Sequence, residues 1–376
     1  LGGGERAGGG PKPGKKGDLM SADKPLLTVI VPAFNEESIL AANLAALRDH
    51  LAGLESEYRW ELLVVDDGSS DATGRIADAF AAERTGVRVL HHRFNFKLGQ
   101  ALRFAFNESR GDYVVVLDVD LSYSPDHIDR MLARMRETGA KIVIASPYAK
   151  GGRVSNVPWF RRALSVWANR FLAMTVAKDS QSDKLTTITG MVRAYDGPFL
   201  RRLALKSMSV EINPEIIYKA KILRARIMEC PAHLDWKPVQ RPDGRPIRRR
   251  SSLKFGGSMI HHLLSGYIFR PFMFFIVPGG LLFLLSLYPL IWTAIHTLRS
   301  YRRIAGPGLS FDYRLSEAVG AAFAASPHSF IVGGIALLVA IQLLSLGLLS
   351  LQKKRYFEEL YYLNTTLYKD LRRRDG

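Results

Sequence analysis

From Leu26 onward the chain alternates between two hydrophobic periods. Short runs rich in β-branched and aliphatic residues, Leu27–Val31, Glu61–Val65, Val87–His91, Tyr113–Asp118 and Lys141–Ala145, predict strands. Between them the spacing lengthens toward 3.6. Ile39, Leu40, Leu44, Leu47 and Leu51 share one helical face, in a helix expected to begin near Glu36. Ser69-Ser70-Asp71 offers N-cap chemistry for a second helix that buries Ile76 and Phe80. Such alternation predicts an α/β fold, a mainly parallel sheet with helices on both faces, whose ligands bind at the carboxyl ends of the strands. Beyond the loop Lys150-Gly151-Gly152-Arg153 come a helix carrying Trp159, Leu164, Trp167, Phe171 and Leu172, expected to pack on the core or else partly on lipid, a helix from Pro214 to Leu223, and a strand near Arg226–Met228.

The last third changes character. Phe272–Leu298 and Ser329–Leu351 are each apolar and long enough to cross a hydrocarbon core of about 30 Å at about 1.5 Å per residue, which predicts a two-helix transmembrane hairpin. The expected organisation is therefore a disordered Gly-, Pro- and Lys-rich leader over 1–24, the α/β domain over 25–235, a basic segment over 236–270, the membrane helices within 271–352 and a basic tail over 353–376. Leu253–Phe269 mixes apolar residues with Lys254, His261 and His262, as an amphipathic helix in the membrane interface would, or a water-soluble linker helix.

Charge narrows the partners. A formal net charge of +17 calls for a polyanion, nucleic acid or an anionic membrane surface. The basic residues crowd beside the apolar segments, at Arg241, Arg245, Arg248, Arg249, Arg250, Lys254, Arg270, Lys353, Lys354 and Arg355, and are not interleaved with aromatics. That pattern disfavours nucleic acid and puts the α/β domain and both termini on the cytoplasmic side. Arg299, Arg302, Arg303 and Arg314 between the apolar segments pull the other way. Paired hairpins also leave a homo-oligomer open. Cys230 is the only cysteine, so internal disulfides and cysteine-based zinc clusters are excluded, and packing is its expected role.

The chemistry gathers at predicted strand ends. Asp118-Val119-Asp120 ends the fourth run, and period two sends both carboxylates out on one side, spaced to share a divalent cation or to divide cation and ribose between them. An ordinary acidic turn is the alternative. Pro32-Ala33-Phe34-Asn35-Glu36-Glu37 and Asp66-Asp67-Gly68-Ser69-Ser70-Asp71 end the first two runs. Together the three segments supply what a nucleotide needs: partners for base and ribose and a seat for a hard cation on the diphosphate.

These residues, with Asn95–Arg103, Thr189–Tyr195 and Arg248–Lys254, resemble inverting family-2 glycosyltransferases of the GT-A (Rossmann-like) fold, most closely the polyprenyl-phosphate sugar synthases, over roughly Leu26 to Gly257. The resemblance implies transfer of a sugar from a nucleotide-sugar donor to a membrane lipid phosphate with Mg²⁺ or Mn²⁺. It implies that Pro32, Phe34, Glu36 and Asp66 or Asp67 hold base and ribose, that Lys97 and Asp118 contact the nucleotide, and that Asp118, Asp120 and Ser122 serve the metal. Arg250 and Lys254 would close over the donor phosphates, and Arg193 would contact the acceptor phosphate or the donor, unless it forms a structural salt bridge. The chain departs from the family at Ser122, where relatives carry Gln, and at Pro147 and Val166, where relatives place arginines for the lipid phosphate; Arg153, Arg161, Arg162 or Arg170 are the substitutes at hand. A lipid hydroxyl acceptor would instead need a base, for which Asp179, Asp183, Glu211 and Glu215 are candidates. An inactive nucleotide-binding scaffold is the reading from another class.

Overall fold

The computed structural model describes residues 24–175, 185–236, 271–304 and 309–374. The leader up to residue 23, the polar stretch 178–184 with Asp179 and Asp183, and the basic segment with Arg250 and Lys254 lie outside the described residues.

One compact unit comprises residues 1–161, 180–213 and 225–249. Its seven-stranded sheet has the order β3-β2-β1-β4-β7-β5-β8. The strands are β1 (Leu26–Ala33), β2 (Arg59–Asp66), β3 (Val87–His91), β4 (Tyr113–Val116), β5 (Ile142–Ser146), β7 (Arg193–Asp196) and β8 (Ile227–Pro231). All neighbours are parallel except β7, which runs antiparallel to β4 and β5. The mainly parallel sheet is as expected, but β7 was not foreseen. A small second sheet pairs β6 (Arg153–Ser155) with β9 (His233–Asp235).

Helices α1 (Leu40–Gly53), α2 (Thr73–Ala82), α3 (Leu98–Glu108), α4 (His127–Thr138) and the single turn α6 (Gly197–Leu200) complete the unit. α1 buries Leu40, Leu44, Leu47 and Leu51, the face its spacing predicts. It starts later than expected because the Glu36 carbonyl first accepts from Ile39 and Leu40 N–H, closing a turn. At α2 the N-cap is Ala72, without a side-chain cap bond; Asp71, from the stretch expected to cap the helix, lies just before it and its Oδ1 accepts from Thr73 N–H at 2.9 Å.

Alternation along the strands sorts side chains between two faces. Leu27, Val29, Val31 and Ala33 of β1, Leu62 and Val64 of β2, and Val115 and Leu117 on and just beyond β4 join one core with Leu40 and Leu44 of α1, Phe80 of α2 and Ile128 and Met131 of α4. The intervening Ile30, Leu63, Val65, Val114 and Val116 are equally buried but outside that core, and α3 covers their side. The register pairs Pro32 with Val65 and Ile30 with Val116, so the alternation is in step across β1, β2 and β4.

A second unit comprises residues 162–179, 214–224 and 250–376. It holds most of α5 (Trp159–Thr175), most of α7 (Ile212–Ile222), and α8 (Pro271–Arg303), α9 (Phe311–Ala325) and α10 (Pro327–Arg374). Met273–Arg303 and Pro327–Thr365 are long and apolar enough to cross a membrane, and only 11% and 17% of their most apolar windows are buried. A core helix of a water-soluble protein would be mostly buried; lipid is the medium that suits these surfaces. Gly347 lets α10 approach α8, since a Cβ there would lie 2.5 Å from Ile276 Cγ1. Between the two spans, where a loop was expected, lies α9, capped by Ser310. Beyond its apolar stretch α10 meets α7: Tyr218 donates to Glu358 at 3.1 Å and stacks on Phe357. Trp159 and Trp167 of α5, expected on the core, are 81% and 45% exposed. Amphipathic aromatic rings of this kind suit a membrane interface.

Candidate active site

Each of the loops leaving β1, β2, β3 and β4 contains one residue in the left-handed region: Asn35 (φ 56°), Gly68 (φ 69°), Lys97 (φ 72°) and Leu121 (φ 47°). These reversals turn four loops along the same carboxyl edge. Gly68 is required there, because a Cβ would sit 2.3 Å from the carbonyl carbon of Phe94. Lys97, with ψ 164°, occupies backbone space that suits glycine, at a cost of about 1–3 kcal/mol that the surrounding fold must offset. Strain of this order gathers at ligand sites.

The first two loops are laced together. Asn35 N–H donates to Ser69 Oγ at 3.0 Å while its Oδ1 accepts from Ser70 N–H at 2.8 Å. Glu36 N–H donates to Thr73 Oγ1 at 2.8 Å, and Glu37 N–H and carboxylate engage Asp71 and Ala72 N–H in return. Burial opposes the ionised form of Asp71, but its bonds from Thr73 and Glu37 outweigh this and lower its pKa. Phe34 is left 43% exposed and Phe96 41%, two aromatic faces in the loops of this edge.

Asp66 and Asp67 are both buried, 6% and 4% exposed, yet differ in what they have left to give. By alternation Asp66 points to the α1–α2 side. Its Oδ1 accepts from Ser69 N–H at 3.1 Å, and its Oδ2 lies 3.2 Å from His91 Nδ1. Asp67 points to the α3 side. Its Oδ1 takes both His92 Nδ1, at 2.7 Å, and Phe96 N–H, at 3.0 Å, while its Oδ2 has no donor among the described residues. Of the two carboxylates proposed for the nucleotide, Asp67 is the one with an oxygen available and Asp66 is consumed in the fold. Neither histidine was singled out from the sequence.

The third segment corrects an expectation. β4 ends at Val116, and Asp118 to Leu121 is a turn closed by Leu121 N–H on the Asp118 carbonyl at 3.1 Å. Leu117 and Val119 still join the α1–α4 core, so Asp118 keeps the α3-side parity of Asp67. Asp120 is placed by the turn and not by the strand; its Oδ1 accepts from Ser122 N–H at 2.9 Å. Burial pushes the Tyr123 phenol pKa well up, and the charges of Asp118, Tyr148 and Asp120 add to it. Ser122 is 8% exposed, and its main chain closes the turn and accepts from Asp235 N–H. Among the described residues no three His, Cys, Asp or Glu side chains gather as a metal site. Mg²⁺ needs fewer, since it binds through one or two carboxylates with substrate phosphates and water completing its shell, and Asp118 and Asp120 fit that role.

Arg193 is a second correction. It is 0% exposed, and its guanidinium donates to the carbonyls of Gly190 at 2.8 Å, Asn213 at 2.9 Å and Ile188 at 2.5 Å. Burial lowers its pKa despite help from Tyr195 and Glu229. It presents nothing to a phosphate and forms no salt bridge among the described residues; it fastens the stretch before β7 to the start of α7. Pro32, Phe34, Glu36, Asp67, Lys97, Asp118 and Asp120 lie along one edge; Arg193 stands beside Val116 at the end of β4, but its guanidinium is spent on the carbonyls of Gly190, Asn213 and Ile188.

The model of glycosyl transferase family 2 matches residues 28–203. Over 208 residues the chain is 35% identical to undecaprenyl-phosphate mannosyltransferase of Micrococcus luteus, covering 54% of this chain and 80% of that protein. The chain belongs to glycosyl transferase family 2. Another member, dolichol-phosphate mannosyltransferase of Pyrococcus furiosus, is 28% identical over 65% of this chain and 63% of its own length. Among solved structures, glucosyl-3-phosphoglycerate synthase from Mycobacterium tuberculosis in complex with Mn²⁺, UDP and phosphoglyceric acid overlaps 64% of this chain and 78% of that one, at 20% identity and a TM-score of 0.45. The α/β unit of this family-2 glycosyltransferase has the mainly parallel sheet that the motifs imply.

Proposed function

We propose that this glycosyltransferase transfers a sugar, with inversion, from a nucleoside diphosphate sugar to a polyprenyl phosphate at a membrane surface. The observation that carries this reading is the 35% identity along 80% of an undecaprenyl-phosphate mannosyltransferase, in a chain with two helices able to cross a membrane. On the donor side, Pro32, Phe34, Glu36 and Asp67 take base and ribose, with Lys97 at the mouth of α3. Asp118 and Asp120 hold Mg²⁺ or Mn²⁺. That cation, when bound, supplies positive charge to the diphosphate as it departs. Arg250 and Lys254 belong to the proposal as further phosphate contacts.

On the acceptor side, a phosphate monoester has its second pKa near 6 and is largely ionised at neutral pH, so it attacks without a protein base. This fits Glu215, one base a hydroxyl acceptor would draw on, whose side chain is 7% exposed and locked to Lys219 at 2.5 Å. Arg153, Arg162 and Arg170 are exposed and stand available for the lipid phosphate, whereas Arg161 packs over Trp236. The basic flanks of the apolar helices favour a cytoplasmic catalytic unit and cytoplasmic termini.

The test presents the full-length protein, in nanodiscs with Mn²⁺, with radiolabelled nucleotide-sugars and either a polyprenyl phosphate or the matching polyprenol. Label in a lipid product labile to mild acid, formed from the phosphate alone, is expected. An acid-stable product formed from polyprenol would replace this reading with the hydroxyl-acceptor one. Nucleotide binding without any transfer would favour the scaffold.

A further inference from the structure

We infer that His92 is a positioning residue for the nucleotide, setting the orientation of Asp67; this rests on reading the α3-side edge as the donor site. Both donors to Asp67 converge on one oxygen, His92 Nδ1 at 2.7 Å and Phe96 N–H at 3.0 Å. An ionised carboxylate only accepts, so the Nδ1 of His92 carries the proton. Two donors on Oδ1 fix the carboxylate plane and leave Oδ2 as the acceptor without a donor among the described residues. The imidazole is itself fixed. It stacks on Phe104 of α3 with centroids 5.2 Å apart and planes 19° from parallel, and meets the edge of Phe96 at 5.2 Å. Its backbone N–H donates to the Asp66 carbonyl at 2.9 Å.

His92 Nδ1 is spent on Asp67, so it acts through that carboxylate. Its neighbour does something else. His91 bridges Asp66 and Asp78, at 3.2 and 2.9 Å, on the opposite side of the sheet, and ties β3 to α2. Adjacent histidines thus serve adjacent aspartates on opposite faces, one for the fold and one for the site. Losing the Nδ1 donor leaves Asp67 free to rotate, and a ligand must then pay for ordering it.

The test uses full-length protein in nanodiscs and three variants. His92→Phe keeps the stack on Phe104 and removes the donor. His92→Asn restores a donor near the Nδ1 position. Asp67→Asn marks the site itself. With whichever of UDP and GDP the wild type binds in Mn²⁺, H92F is expected to raise Kd, and KM for the matching nucleotide-sugar, about tenfold, with kcat within about twofold and H92N recovering most of the loss. Unchanged Kd and KM in a folded H92F would overturn the inference, as would equal loss in H92F and H92N. If H92F fails to fold, H92N against wild type decides: a Kd within about threefold supports the inference and a tenfold rise overturns it. Weakening by D67N without weakening by H92F sinks only the role of His92. Insensitivity to both, or binding of neither nucleotide by wild type, sinks the donor-site reading.

Discussion

The two halves of the sheet use the same kinds of charged residue to different ends. In the half built from β3, β2, β1 and β4, the loops at the carboxyl edge reverse through left-handed residues, Phe34 and Phe96 are exposed, and Asp67 keeps an oxygen undonated among the described residues. In the half built from β7, β5 and β8, charge is spent on the fold. Arg193 satisfies three carbonyls, and Glu229 takes Thr186 and Thr187 N–H on one oxygen and the Thr186 hydroxyl on the other. Burial raises the Glu229 pKa against those bonds. The difference teaches that a charged residue beside a family motif marks a ligand site only when some of its hydrogen-bonding capacity is left over.

The sharpest way to break this contrast is at the acidic turn. Asp120→Asn should lower transfer by about 10²–10³-fold, the scale of losing one electrostatic contact to the transition state, with an unaltered melting curve. Turnover at the wild-type rate would take the carboxylate out of the chemistry, and chelation of divalent cations should mimic the variant. Next comes Arg193→Met, which removes the guanidinium from the carbonyls of Gly190, Asn213 and Ile188 and should cost at least about 3 kcal/mol in thermal or denaturant unfolding. A variant as stable as wild type that lost only transfer would return Arg193 to the active site.

The smallest effect is at His91. Burial works against its charged form, but hydrogen bonds to Asp78 and Asp66 prevail and raise its pKa. Its pairing therefore stabilises the fold fully below the ordinary value near 6.5 and stops doing so as pH rises through the raised value. His91→Phe should lose a few tenths of a kcal/mol near pH 6, discounted for a half-exposed ring, and less near pH 9. An effect that grew with pH would contradict the assignment.

What was legible in the sequence was mostly local. The face of α1, the four strands of the donor half and both membrane-length helices follow from hydrophobic period, and Leu40, Leu44, Leu47 and Leu51 are buried as that period requires. β7 was not legible, because Arg193-Ala194-Tyr195-Asp196 has little strand pattern of its own and is made a strand by pairing with β4 and β5. The choice between Asp66 and Asp67 is likewise non-local, decided by register with β1 and by the histidines that β3 delivers. Asp118-Val119-Asp120 drew the right chemistry from a wrong local geometry, since the strand stops two residues short and a turn places Asp120. Arg193 misled because a Thr-Gly motif precedes it, while the carbonyls that take its donors, those of Ile188, Gly190 and Asn213, are not marked in the sequence. α9 was readable after all: Ser310 caps it, and Phe311, Leu315, Val319 and Phe323 recur every fourth residue.

The unequal partners of Asp66 and Asp67 are probed most directly by binding of nucleoside diphosphate with Mn²⁺ to Asp66→Asn and Asp67→Asn. An amide in place of the Asp67 carboxylate can put a donor where the unclaimed acceptor stood and removes the charge, so D67N should bind at least about tenfold more weakly than wild type with a near-normal melting temperature, whereas D66N should melt earlier and bind within about twofold. The reverse pattern, weak binding in D66N and wild-type binding in D67N, would contradict this division of roles.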